Sequence, residues 1–238
     1  GERLVAAMSL AKAAAIVDIG AGSGTLLPTL QAAAPQARMV GIDRTDRMLE
    51  SARSGSPTTL LAVMNAQELG FRSATFDAAI LAFVLFHFPD PVRGLSEAAR
   101  VLRSGGVVGA TTWGANHVPP ASEIWSEELD AAGAGAETLP DSVQQHALMD
   151  TPGKLGDLLE AAGLAPARLW IERFERRWTW QDLFALRCGF GIFRRRLDTL
   201  AAASRRECLE RIRDRLFRVS AAELLWQPEV VCAIATRS

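Results

Sequence analysis

The chain has 238 residues, 49% of them hydrophobic and 22% charged, enough to bury one large core or a core with a smaller cap. Its formal net charge of −1 offers no global field for a nucleic acid or an acidic membrane surface. The longest apolar run, residues 78–86, is too short to span a bilayer, and no export signal is visible at the N-terminus.

Cys188, Cys208 and Cys232 have neither paired nor metal-like spacing, which suits a reducing cytoplasm and thiols without a disulfide framework. Short apolar runs at 16–19, 39–42, 60–63, 78–83 and 107–112 read as strands buried on both faces. Between them lie helix signals over 25–33, from Thr45 to about Arg53, and from an Asp90-Pro91 start to near Arg103. Regular strand–helix alternation predicts a parallel sheet with helices on both faces.

Residues 114–150 break the pattern, with proline, glycine, alanine and acids in no clean period. Thr151-Pro152 then opens a helix that Gly163 closes, and 168–174 reads as a strand. Thr179 and Asp182 have capping-box-like spacing. Ser204 and Glu207 match the box more fully, opening a helix with Leu209, Ile212 and Leu216 on one face. Residues 230–236 form the closing strand. From Arg168 to Arg218 there are fourteen arginines against seven acids, read as solvated helix faces.

The most informative segment is Val17-Asp18-Ile19-Gly20-Ala21-Gly22-Ser23-Gly24-Thr25. A buried strand runs into a glycine-dense turn and then a helix, so a ligand can approach bare backbone and helix N-terminal amides. The end of the first strand is also where doubly wound sheets bind ligands. A dinucleotide dehydrogenase would need its third glycine at position 25, where Thr25 stands. Asp43, ending the second strand, is a carboxylate able to accept both hydrogen bonds of a ribose diol.

Glycines at 20, 22 and 24 preceded by Asp18 resemble the Asp-x-Gly-x-Gly-x-Gly motif of class I methyltransferases. Four further segments resemble that family in order and spacing: Asn65-Ala66-Gln67-Glu68-Leu69-Gly70-Phe71, Phe76-Asp77-Ala78-Ala79-Ile80, Leu85-Phe86-His87-Phe88 and Arg100-Val101-Leu102-Arg103-Ser104-Gly105-Gly106. The likeness is to the ubiquinone/menaquinone-biosynthesis-like and natural-product subgroup. It covers roughly the first half of the chain.

The resemblance implies S-adenosylmethionine as cofactor. Gly20, Ala21, Gly22 and Gly24 would line its methionine and ribose portions, with Asp18 ordering the loop or reaching the amino acid group. Asp43 would hold the ribose hydroxyls, and Arg44 and Met48 would lie beside the adenine. Asn65 and Ala66 would read the adenine edge, Asn65 standing where aspartate is commoner. Ala82 would offer a backbone carbonyl to the methionine ammonium, with Phe83 nearby.

The acceptor side is less marked. His87 follows the fourth strand, as a general base or a wall of the cofactor pocket. His117 and His146 flank the irregular region, and Trp113 ends the fifth strand on the cleft side, so all three are candidates for contact with the acceptor. No metal site is expected, because the histidines are widely spaced and lack paired acids.

The expected architecture is an α/β, doubly wound, Rossmann-like sheet of seven strands, mostly parallel, the last antiparallel as in the family. Residues 1–113 would form the cofactor-binding core and 114–160 a lid. Residues 161–238 would complete the sheet and carry a helical cap insertion at 180–218. About fifteen residues precede the first strand, where relatives often carry a longer cap, so the expectation is an acceptor pocket that either lacks a part or is completed by another chain, as in a homodimer. The function implied is methyl transfer to O, N or C of a small metabolite, with no nucleic-acid or membrane partner. A non-methylating relative is the alternative, and a nicotinamide-dependent oxidoreductase a distant third.

Overall fold

The computed structural model describes residues 1–56, 59–116, 118–135, 145–189 and 191–238. The chain divides into two compact units, one of Gly1–Ala115, Asp141–Glu172 and Val230–Ser238, the other of Asn116–Pro140 and Arg173–Glu229. The helix after Thr151, which sequence had assigned to the lid segment, thus belongs to the first unit.

That first unit carries a seven-stranded sheet. Its strands are β1 (Ala15–Ile19), β2 (Arg38–Asp43), β3 (Leu60–Val63), β4 (Phe76–Ala82), β5 (Leu102–Trp113), β6 (Leu164–Arg173) and β9 (Glu229–Arg237). The spatial order is β3-β2-β1-β4-β5-β9-β6. Strands β1 to β5 pair in parallel, and β9 runs antiparallel to β5. The chain winds outward from β1 to β3, then returns to lay β4 on β1's other side, so a crevice opens over the carboxyl ends of β1 and its neighbours.

The central strands are buried on both faces, and their side chains alternate between them as the pleat requires. Val17, Ile19, Ile42, Ala79 and Leu81 pack to one side with Leu95 of helix α4 (Pro91–Val101) and Leu155 of α6 (Pro152–Ala161). Ile16, Met39, Ala78 and Ile80 pack to the other with Leu4 of α1 (Glu2–Ala7) and Leu30 of α2 (Leu27–Ala33). Each such fully buried aliphatic side chain contributes about 1.5–3 kcal/mol, which fixes the register. Helix α3 (Asp46–Gly55) buries Leu49 and Ala52.

The second unit has a core of its own. Trp125 and Leu129 of α5 (Ser122–Ala131) meet Leu183 of α7 (Trp180–Gly189), Leu197 of α8 (Gly191–Asp198), and Cys208, Ile212 and Leu216 of α9 (Ala202–Phe217). Strands β7 (Arg176–Arg177) and β8 (Leu225–Trp226) pair antiparallel. The three cysteines are free thiols, Cys208 and Cys232 buried.

Several boundaries depart from the sequence expectation. Strand β4 stops at Ala82 because Phe83 takes φ +56°, outside the extended region. Helix α4 ends at Val101 and β5 follows with no loop, which adds residues 102–106 to the strand. Strand β6 starts at Leu164, directly after Gly163 turns the chain at φ +78°. Helix α2 starts at Leu27, since the glycine turn persists through Leu26. Helix α9 starts at Ala202, so Ser204 lies inside its first turn and caps nothing. The segment expected to lack regular structure holds α5, whose buried Ile124, Trp125 and Leu129 were hidden among acids.

Candidate functional site

The site is built from the ends of four parallel strands. Gly20, Gly22 and Gly24 all take positive φ, at +78°, +55° and +77°, a sequence of turns that residues with a Cβ rarely adopt. Two of the three also lack room: a Cβ on Gly20 would lie 2.3 Å from Val84 Cγ2, and one on Gly24 would lie 2.8 Å from Ala52 Cβ. Gly22 meets only Met48 Cε, at 3.5 Å, and so presents open backbone.

Asp43 fixes this loop. Its Oδ2 accepts the Gly22 N–H at 3.0 Å and its Oδ1 accepts the Thr45 N–H at 2.9 Å. The amides of Gly20 and Ala21 both donate to the Ile42 carbonyl at 2.8 Å. Each carboxylate oxygen of Asp43 still has a lone pair for a ligand hydroxyl.

A cleft of about 350 Å³ lies beside the loop, within the range of small-molecule sites. Gly20, Asp43, Arg44, Asn65, Ala66 and His87, all singled out from sequence, line it. Ala21, Gly22, Gly24, Met48, Ala82 and Phe83 lie within four residues of it in the chain without lining it. Sequence reasoning missed the other seven lining residues, among them Thr45, Met64, Gln67, Val84 and Phe88. Gln67 stood inside a quoted motif, and its contribution was signalled only by that position.

Asn65 Oδ1 accepts the Gln67 N–H at 3.1 Å, which shapes the turn after β3 and leaves the oxygen's second lone pair for a ligand amino group.

Asp18 is only 3% exposed, and among the described residues no hydrogen-bond donor meets its carboxylate. Burial, with a smaller contribution from the Asp43 charge, raises its pKa to about 7. An acid held like this suits a cationic ligand group, which would restore its charged form.

His87 ends a 3-10 turn, Leu85–His87, at the rim of the cleft. Partial desolvation lowers its pKa against the opposing pull of Asp43, so the ring is neutral near pH 7. It lies 4.4 Å from the Phe86 ring, which stacks on its other neighbour, His146, at 4.0 Å and 27°. Phe83 and Trp113, at the ends of β4 and β5, are in ring contact at 4.7 Å. His117 lies outside the described residues. Among the described residues no three acid, histidine or cysteine side chains are grouped to hold a metal ion, and no helix is long and apolar enough to cross a membrane.

Residues 17–109 match the family model described as a methyltransferase domain. Phosphatidylethanolamine N-methyltransferase of Cereibacter sphaeroides is 35% identical over 112 residues, which span 44% of this chain and 54% of that one. Demethylmenaquinone methyltransferase of Deinococcus radiodurans is 30% identical over 167 residues, covering 62% of this chain and 66% of that one. The chain therefore spans less than two thirds of the length of these curated relatives. Among solved structures, the YcgJ protein of Bacillus subtilis superposes with a TM-score of 0.57 at 16% identity, covering 99% of this chain and 97% of that one, which speaks to the fold. The glycine turn held by Asp43 and the strand order around it fall in one segment: residues 17–109 form a methyltransferase domain of the class I kind.

Proposed function

We propose that the cleft over β1 to β4 binds S-adenosylmethionine and that the chain transfers its methyl group to O, N or C of a small-molecule acceptor. The observation that carries this reading is the Gly20–Gly24 turn, with three positive φ values and the Asp43 carboxylate bonded to Gly22, inside the matched segment. The residues present fit the cofactor. Asp43 retains acceptor capacity for ribose hydroxyls, and Asp18 is a buried acid, suited to the charged methionine end.

S-adenosylmethionine supplies an electrophilic methyl group whose leaving group is a neutral thioether. The protein's share of the chemistry is then mainly positioning. The bare Gly22 backbone admits the ligand closely, while Gly20 against Val84 keeps the loop from shifting. An acceptor that must lose a proton finds a neutral imidazole at His87, which takes it directly. We read Trp113 with Phe83 as an apolar wall for the acceptor, and His146, through Phe86, as the support behind His87.

Calorimetric titration with S-adenosylhomocysteine, S-adenosylmethionine and NADH tests the cofactor. S-adenosyl ligands should bind and NADH should not. Asp43→Ala should weaken S-adenosylhomocysteine by about 1–3 kcal/mol, roughly five- to a hundred-and-fiftyfold, since it removes the ribose acceptors and frees the Gly22 and Thr45 amides. Tight NADH binding without S-adenosyl binding would overturn the reading. S-adenosyl binding with no methyl transfer across a broad acceptor panel would leave a binding relative in place of an enzyme.

A further inference from the structure

The turn after β3 enters the cleft as Met64, Asn65, Ala66 and Gln67, yet its backbone is held from outside, by one face of α4. Residues 90, 93, 97 and 100 recur at helical spacing along that face. The Asp90 carboxylate caps the helix, accepting the Arg93 N–H at 3.0 Å. Arg93 Nε donates to the Gln67 carbonyl at 3.0 Å. Glu97 accepts the Leu69 N–H at 2.6 Å, and Arg100, clamped to Glu97 at 2.6 and 2.8 Å, donates to the carbonyls of Leu69 and Phe71 at 2.8 Å each.

One contact in this set differs from the rest. Gln67 Nε2 donates to the Asp90 carbonyl at 3.2 Å. Gln67 sits on the β3 wall of the cleft, whereas Asp90 directly follows Phe88 and Pro89, which line the β4 wall. This hydrogen bond therefore joins the two walls across one end of the cleft. The Gln67 backbone is itself fixed: its N–H donates to Asn65 Oδ1 and its carbonyl accepts from Arg93.

We propose that Gln67 and Arg93 form a clasp closing the nucleoside end of the cleft, acting as positioning residues that slow escape of the bound cofactor. This rests on the S-adenosyl reading above. Arg93 fixes the Gln67 backbone, so the Gln67 amide is presented to Asp90 without the entropy of an unrestrained side chain. Opening the clasp breaks one hydrogen bond and separates the walls, leaving the Asp43 contacts and the glycine turn untouched. The effect therefore falls on dissociation more than on association.

Stopped-flow measurement of S-adenosylhomocysteine binding to the whole chain, beside thermal melts, tests this. Gln67→Glu keeps the side chain's length but replaces the donor with an acceptor facing the Asp90 carbonyl. It and Arg93→Ala should each speed dissociation about three- to tenfold, the range set by one hydrogen bond, with association within about twofold of wild type. Arg93→Lys should fall between, and adenosine alone, which reaches only the nucleoside end, should lose the same factor. Melting temperatures without ligand should match wild type. Unchanged dissociation overturns the clasp, as does a loss of affinity that tracks a lowered melting temperature. Failure of wild type itself to bind S-adenosylhomocysteine overturns the cofactor reading instead, and the clasp falls with it.

Discussion

Asp18 has its pKa raised to about 7 by burial, against an ordinary value of 3.8. The folded state thus keeps a proton that the unfolded chain releases near pH 4. The linkage sign follows: stability from this group is full below about pH 4 and is lost as pH rises through 7. Asp18→Asn removes that dependence, so the variant should melt several degrees above wild type at pH 8, with the gap closing toward pH 4. Binding of a cation reverses the preference, because it favours the charged carboxylate. S-adenosylmethionine should accordingly release a proton from wild type, but not from Asp18→Asn, when it binds at pH 6. Calorimetric heats in two buffers of different ionisation enthalpy measure this, and heats that agree between buffers would refute the assignment of Asp18.

At this scale the sequence was most informative where backbone geometry dictates residue type. Glycines 20, 22 and 24 were legible because each needs positive φ. What remained hidden was occupancy by neighbours. Nothing in the sequence indicated that Val84 fills the space beside Gly20, or that the Asn65 amide oxygen also accepts the next-but-one N–H. His87 was legible as a cleft residue by its place after the fourth strand, but its lowered pKa depends on packing around it.

Among the elements, α4 shapes the cleft from behind. A Cβ on Gly94 would sit 2.4 Å and 2.6 Å from the Phe88 ring, and Phe88 lines the cleft. Alanine gains about 0.8–1 kcal/mol of helix propensity over glycine in a helix interior. Overpacking a rigid ring costs about 1–3 kcal/mol, so strain wins. Gly94→Ala should lower the melting temperature and, by turning Phe88 into the cleft, weaken S-adenosylhomocysteine about tenfold. A variant with wild-type affinity and raised stability would show that Phe88 has somewhere else to go.

Element starts were readable where a side chain caps the helix. Asp90, Thr151 and Thr179 each accept the N–H three residues on, at 3.0, 3.4 and 3.1 Å. Thr45 precedes α3 without a side-chain cap bond, and Ser204 was misread because α9 begins earlier, its buried Cys208 and Ile212 setting the phase. Helix α5 escaped notice because its apolar residues are few and its exposed positions acidic.

The whole molecule is two units, each with its own buried core, and the cleft lies wholly in the first. A ligand that binds only folded protein stabilises it by about 2.7 kcal/mol at a hundred times its Kd. S-adenosylhomocysteine should therefore raise the far-ultraviolet melting temperature in proportion to the logarithm of its concentration. Asp43→Ala at the same concentrations should show a much smaller rise. A melting curve indifferent to the ligand would contradict binding at the cleft. The alternation of strands and helices made the seven-stranded sheet legible, whereas the second unit, drawn from two separated stretches of chain, has no single sequence boundary to read.

Strand β9 follows every other strand in chain order, yet it lies in the sheet's interior, between β5 and β6. During synthesis, β6 emerges before the strand it must lean on exists, and β5 waits with an unsatisfied edge. Folding from the N-terminus can thus assemble the cofactor half early, while closure of the sheet waits for residues 229–237. A ribosome stalled before residue 229 would hold a chain with its glycine turn in place and its sheet open, the state in which a chaperone would find it.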